Sequence, residues 1–401
     1  MLLSQGSFYS AAIQLSSIYT VIPYISTQLS APAAIVGLIV PLYTAGVLYG
    51  TIIAPRALSS HPSIVWLMVG VAASQAVLIA LIAANVAFVE RGFAIYPVLA
   101  LVVPLGLVSG YSVVSFPLVI SALLSPRRRS DLLLRQTGLG AVLMIGVAAL
   151  SAAALSRVAS DLGDAKLLFL GAGAMAVAAV FCLGLRPDGA QIATVPARPR
   201  DVLREATEYM RSQAWFQRYM LTQLIFRSVT LGPLFYSIHG VRAKSGSGGK
   251  LDSILIFIGV GLLGGIWFWA FVRDHFDTRA VYMLSAAISA AAAVLCIANV
   301  IVETIPSLWA FGIIMLLASV ANQAVYPASL TWIFSAAPED VRVTLISFSQ
   351  LTMNVAVIVA AFALGTIAGV APLWPLLAML CLSGLAFWAA ARMDHVSVGH
   401  D

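Results

Sequence analysis

The stretch Arg186-PDGAQIATVPARPRDVLREATEYMRSQ-Ala214 decides the architecture, because it is the longest polar segment in an otherwise apolar chain. Prolines at 187, 196 and 199 make its first part a linker, since each removes a backbone donor and disfavours helix in the residue before it. Its second part, 200–213, carries a helical pattern. Val202, Leu203, Ala206, Tyr209 and Met210 share one face, and Arg204, Glu205, Glu208 and Arg211 lie elsewhere. That pattern predicts an amphipathic helix of the kind that lies at a water–lipid interface.

Working outward, six long apolar runs stand on each side. They fall at about 7–29, 34–54, 63–88, 94–124, 132–155 and 166–185, then at about 215–239, 252–272, 279–302, 305–335, 343–370 and 372–392. Crossing roughly 30 Å of hydrocarbon takes about 20 apolar residues in a helix, and lipid offers no partner for an unpaired backbone group. Composition agrees. Of 401 residues, 61% are hydrophobic and 9% charged, with a mean hydropathy of +0.98. A soluble domain carries about 25% charged residues, so such a chain could not cover a water-facing surface. A disordered chain, a nucleic-acid binder and a secreted disulfide scaffold are excluded. Cys182, Cys296 and Cys381 all sit inside apolar runs with no CxxC spacing. The first run starts near Met1 without a basic leader or a cleavage site, and is expected to be a retained helix. The expected fold is an all-α polytopic membrane protein of twelve transmembrane helices. Two six-helix bundles, 1–186 and 215–401, are joined by a cytoplasmic linker at 187–214.

Charge sets the expected orientation. With the amino terminus inside, the inner segments hold 14 Lys and Arg and the outer loops 6, which places both termini in the cytoplasm of a cell membrane. The formal charge of +6 is thereby a topology signal rather than a phosphate-binding one.

A weak repeat relates the halves. Pro117-LVISALLS-Pro126 followed by Arg127 matches Pro327-ASLTWIFSAA-Pro338 followed by Glu339, Asp340 and Arg342. Gly46-Val-Leu-Tyr-Gly50 before Pro55-Arg56 matches Gly261, Gly264 and Gly265 before Arg273-Asp274. Internal repeats of this kind build many transporters. With its span number, six-plus-six division and long middle loop, the chain resembles the major facilitator superfamily over essentially its whole length. That family usually carries an Asp with basic residues between helices two and three. Gly50-TIIAP-Arg56 lacks the Asp, and the second-half counterpart Arg273-DHFDT-Arg279 keeps acids and bases. The resemblance implies gating roles for Arg56, Asp274 and Arg279. It implies transport by alternating access, and a central cavity lined by helices one, four, seven and ten.

Polar residues cluster in those four runs: Gln14, Ser17 and Tyr24; Tyr111, Ser112 and Ser115; Gln223, Arg227 and Tyr236; Asn322, Gln323 and Tyr326. Such groups serve equally as hydrogen-bond partners for a small molecule or between helices. Gln350 and Asn354 form one further same-face pair. None of the sixteen acids lies at mid-span; all fall in loops, tails or helix ends, which argues against proton coupling through a midplane carboxylate. With no central His, Asp or Glu to serve as base or metal ligand, an intramembrane enzyme is not expected, nor a cofactor. Arg227 is the exception, twelve residues beyond Trp215 and so about 18 Å along a helix. An Arg at that depth costs roughly 2.5–3.5 kcal/mol and faces a wet cavity or a partner. It is either a fixed charge for an anionic group, with Gln223 beside it, or an Arg satisfied by backbone carbonyls. The sequence thus predicts a monomeric secondary or facilitative transporter of a small organic solute, an anionic one favoured, with a coupling ion as a further partner. A lipid flippase and a multidrug-type antiporter on the same fold remain alternatives.

Overall fold

The structure is a computed structural model that describes residues 1–60, 64–90, 93–123, 126–155, 163–184, 199–242, 251–302, 308–371 and 373–393. Among these there is no strand. Residues 187–198 of the expected linker and residues 245–249 lie outside the described residues, as do the side chains of Arg56, Asp131 and Arg127–Arg129.

Close packing divides the chain into two units, Met1–Pro196 with Lys244–Val260, and Ala197–Ala243 with Gly261–Asp401. In chain order the first holds α1 (Leu2–Leu15), α2 (Val21–Gln28), the short α3 (Ala33–Gly37), α4 (Ile39–Ser60), α5 (Ile64–Phe88), α6 (Ile95–Leu123), α7 (Pro126–Leu150) running into a π turn (Ser151–Leu155), and α8 (Ala165–Leu183). Then follow α9 (Pro199–Ser212), α10 (Ala214–Val229), α11 (Gly232–Arg242), α12 (Leu251–His275), α13 (Thr278–Ile301), α14 (Leu308–Ala336), α15 (Glu339–Val370) and α16 (Leu373–Ala391).

Among the described residues, ten helices are long and apolar enough to cross a membrane. The first and seventh expected spans are absent from that count because each is broken, α1 from α2 and α10 from α11. Proline is the cause in both. Its ring clashes with the carbonyl four residues back, so helix cannot run through that point unaltered. Pro233 therefore stops α10 at Val229, and Pro23 leaves Tyr19 in the gap after α1. Side-chain hydroxyls add local bonds at both helix ends. Ser16 Oγ donates to Ala12 O at 2.7 Å, and Thr230 Oγ1 donates to Arg227 O at 2.6 Å. Pro104 and Pro117 lie within α6, and Pro327 within α14, without ending those helices.

Glycines set the closest helix crossing in the first unit. Gly46 and Gly50 of α4 face Gly106 and Gly110 of α6, and a Cβ on any of the four would stand 2.1–2.4 Å from a backbone oxygen of the partner helix. Small residues at i, i+4 let backbones approach this way in lipid, where packing rather than water expulsion drives association. In the second unit Gly261 and Gly265 stand 215 residues after Gly46 and Gly50. They too are pressed, against Leu316 O and Gln323 Oε1 of α14. Elsewhere in the first unit, Gln136 Nε2 donates to Leu2 O at 2.7 Å and pins α1 to α7.

The second unit is built around an aromatic layer. Phe216, Tyr219, Phe226, Tyr282, Trp332 and Phe348 are buried together, with Tyr219 and Trp332 edge-on at 5.2 Å. Ala206 of α9 is fully buried in this layer, and Tyr209 and Met210 pack on it.

Candidate functional site

Arg227 occupies the last turn of α10. Helix termination there leaves carbonyls without amide partners, and the negative end of the helix dipole favours a cation. The break at Pro233 thus supplies part of what the guanidinium needs. The rest comes from α15, where Gln350 Oε1 accepts from Arg227 Nη2 at 2.9 Å. Tyr219, Tyr282 and Tyr326 stand within electrostatic reach of the guanidinium. Buried Gln223, one turn earlier, donates its amide to the Tyr282 hydroxyl. Among the described residues no carboxylate lies within ion-pair distance of Arg227. Among the described residues the charge is met by neutral dipoles alone.

The expected lining residues of α14 part company. Tyr326 is half-exposed and joins the Arg227 cluster. Asn322 lines a small cavity at the α10–α11 break with Pro233, Tyr236 and Ser289. Its volume of about 10 Å³ is room for one water. Gln323 turns to α12 and donates to Leu262 O at 3.2 Å.

In the first unit Gln14 and Tyr111 are half-buried, and Ser115 Oγ donates back to Tyr111 O at 2.9 Å. The more connected polar group there was not expected. Gln75 of α5, with no exposed surface, donates to Ser109 Oγ at 2.9 Å. Tyr9 hydrogen-bonds Ser112 and Gln75, and Tyr43 hydrogen-bonds Ser109. A lone amide in the middle of the apolar run 64–88 was the available signal. Tyr24 stands apart, beside Gln28 and Asp164 at the ends of their helices.

Of the residues expected to gate, Asp274 pairs with its neighbour Arg273 at 3.5 Å rather than with Arg279, and both side chains are 62% exposed. An exposed pair of that kind contributes little. Asp277 caps α13, its Oδ1 accepting from Ala280 N at 2.9 Å. The side chain of Arg56 lies outside the described set.

No protein-family model matches the chain. Uncharacterized protein Rv2209 of Mycobacterium tuberculosis and Uncharacterized protein Mb2232 of Mycobacterium bovis are each 33% identical to it over 395 residues, which is 98% of this chain and 76% of theirs. The chain belongs to their family. Its fold is that of the major facilitator superfamily. A point mutant of the nucleoside transporter NupG superposes with a TM-score of 0.74 at 12% identity, covering 97% of this chain and 98% of that one. A POT family transporter in complex with a thioalcohol-conjugated peptide gives 0.67 at 12%, covering 97% and 94%, and a D-xylose-proton symporter 0.65 at 14%, covering 99% and 98%. At these identities the likeness establishes the major facilitator fold and the multi-pass, all-helical character of the chain. The site must be argued from its own residues.

Proposed function

We propose that this protein is a secondary or facilitative transporter of a small organic solute carrying an anionic group, and that Arg227 binds that group. One observation carries the reading. An ionised guanidinium sits partly buried in the last turn of α10 with a neutral amide as its hydrogen-bond partner. Burying a charge without a counter-ion is costly, and a carboxylate or phosphate would supply one in the bidentate geometry that arginine favours. Tyr326 and Gln350 would hold the rest of the solute by neutral hydrogen bonds, as small-molecule sites commonly do. Alternating access is the mechanism the major facilitator fold suggests, with the solute neutralising Arg227 in the occluded state. The solved transporters named above, for nucleosides, peptides and xylose, support the coarse reading of a solute carrier. We place the protein in a cell membrane with both termini cytoplasmic, on the strength of the charge asymmetry.

The test is binding. Purified protein in detergent is screened by thermal shift against small monocarboxylates and phosphate esters, each beside its neutral amide or alcohol analogue. Stabilisation by members of the anionic set, lost in Arg227→Gln, supports the reading. Stabilisation by the neutral analogues alone overturns it.

A further inference from the structure

A second charged cluster lies in the first unit, away from Arg227. The ammonium of Lys166, near the start of α8, is 3.4 Å from Asp252 Oδ2 near the start of α12, with side-chain exposures of 10% and 1%. Lys166 also donates to the carbonyl of Ser151 at 3.5 Å, where α7 passes into its π turn. Asp164, which precedes α8, is electrostatically coupled to both Asp252 and Lys166. Gln28 at the end of α2 hydrogen-bonds Asp164 and Tyr24. Among the described residues, the titratable or charged groups facing Asp164 are therefore Tyr24 from α2, Lys166 from α8 and Asp252 from α12.

The cluster has two defects. Among the described residues two carboxylates face one ammonium, a net negative charge in a largely buried cluster where charge is expensive. Independently, Asp252 Oδ1 is buried with no hydrogen-bond partner, although its sister oxygen holds Lys166. A buried acceptor left unpaired costs about 1–3 kcal/mol. One proton removes the first defect, since it neutralises the cluster.

We propose that Asp164, Lys166 and Asp252 form a binding site for a single proton, built from the helix ends rather than the middle of the spans. The proton comes from solvent, adds to a carboxylate oxygen of the Asp164–Asp252 pair and leaves by the same route. Burial, then the Asp252 charge, pushes the Asp164 carboxyl up to about 6, against the lowering pull of Lys166 and the Gln28 hydrogen bond. A site poised there changes occupancy across the pH range that membranes maintain between compartments. This goes beyond the transport reading, because proton binding is an equilibrium property that needs no solute.

The probe is the proton itself. Purified full-length protein is titrated between about pH 7.5 and 5 while infrared difference spectra follow the carbonyl stretch of a protonated carboxylic acid. We expect that band to grow with a midpoint near 6 and to be absent in Asp164→Asn. Proton uptake across the window should be about one per chain lower in that variant. Asp252→Asn, by removing a like charge, should move the midpoint down by about one pH unit, and Lys166→Met, by removing the cation, should move it up by as much. If Asp164→Asn fails to fold, the wild-type band and the Lys166→Met shift decide the matter. Absence of the band in wild type, its persistence in Asp164→Asn, or a midpoint indifferent to both charge substitutions overturns the proposal.

Discussion

Arg227 and Gln350 are joined across 123 residues by a hydrogen bond of 2.9 Å, and this bond gives a partly buried guanidinium an amide where an ion pair would be the usual arrangement. The choice of amide has a consequence. Gln350 fixes the direction of the guanidinium without cancelling its charge, so the field of Arg227 stays available to a ligand. Gln350→Glu should cancel it. The variant would hold Arg227 in a buried ion pair, leave the melting temperature within a few degrees, and weaken the binding of any stabilising anion by about tenfold or more. Isothermal titration with that anion measures the loss. Unchanged affinity would mean the guanidinium points elsewhere when ligand binds.

Arg227→Gln removes the charge and keeps a hydrogen-bonding side chain. A charge-assisted hydrogen bond contributes about 1.5–3 kcal/mol, so affinity for the anion should fall by roughly 10- to 150-fold while membrane insertion persists. Arg227→Lys should recover only part of it, because an ammonium lacks the planar fork that meets two oxygens at once. Normal binding by a well-folded Gln variant would make Arg227 a structural residue held by the end of α10.

The first-unit glycines make a packing prediction. A Cβ on Gly50 would stand 2.1 Å from Leu107 O, and one on Gly106 would stand 2.1 Å from Tyr43 O. Both neighbours are backbone, so the helices must separate. Gly50→Ala or Gly106→Ala should each destabilise by about 1–3 kcal/mol, and Gly70→Ala, where nothing lies within 4 Å, should not. Thermal unfolding in detergent distinguishes the two sets.

These contrasts show what kind of information the sequence holds. Arg227 could be found because an ionised side chain in a long apolar run stands out against its neighbours. The repeat could be found because Gly46 and Gly50 recur as Gly261 and Gly265. The structure breaks the helices ahead of Pro23 and Pro233, since no backbone donor at those positions can carry the ladder forward. Partnerships were not legible. Gln350, Tyr219 and Tyr282 belong to three different helices, and helical periodicity says which residues share a face but not which faces meet. Asp164, Lys166 and Asp252 read as solvated helix ends because each is an ordinary charged residue beside a loop. Only folding brings them together and away from water. Asn322 and Tyr326 share a face of α14, and a rotation of about 100° points Gln323 to α12.

Orientation can be checked by labelling. The proposed orientation puts 245–249 outside and 192 inside. A membrane-impermeant thiol reagent added to intact cells should modify a cysteine engineered at 247 and spare one at 192, with Cys182, Cys296 and Cys381 replaced beforehand. The opposite pattern would invert the topology.

Stability should depend on pH through Asp164. Its carboxyl lies at about 6 in the folded protein against an ordinary 3.8, so between those values the folded chain binds more protons than the unfolded one. Stability therefore falls as pH rises through that window. The contribution is fully present below about pH 4, declines as the carboxyl ionises, and is lost above the folded value, with a total on the order of 2–3 kcal/mol. Purified protein should accordingly melt at a higher temperature at pH 5 than at pH 7, beyond the change shown by Asp164→Asn. The Asn variant carries no charge to expel and should have the flatter profile, with its advantage over wild type confined to neutral pH. A wild-type profile that instead rises between pH 5 and 7, or one that the Asn substitution leaves untouched, would mean that Asp164 keeps its charge at little cost and that the cluster around Lys166 is already balanced.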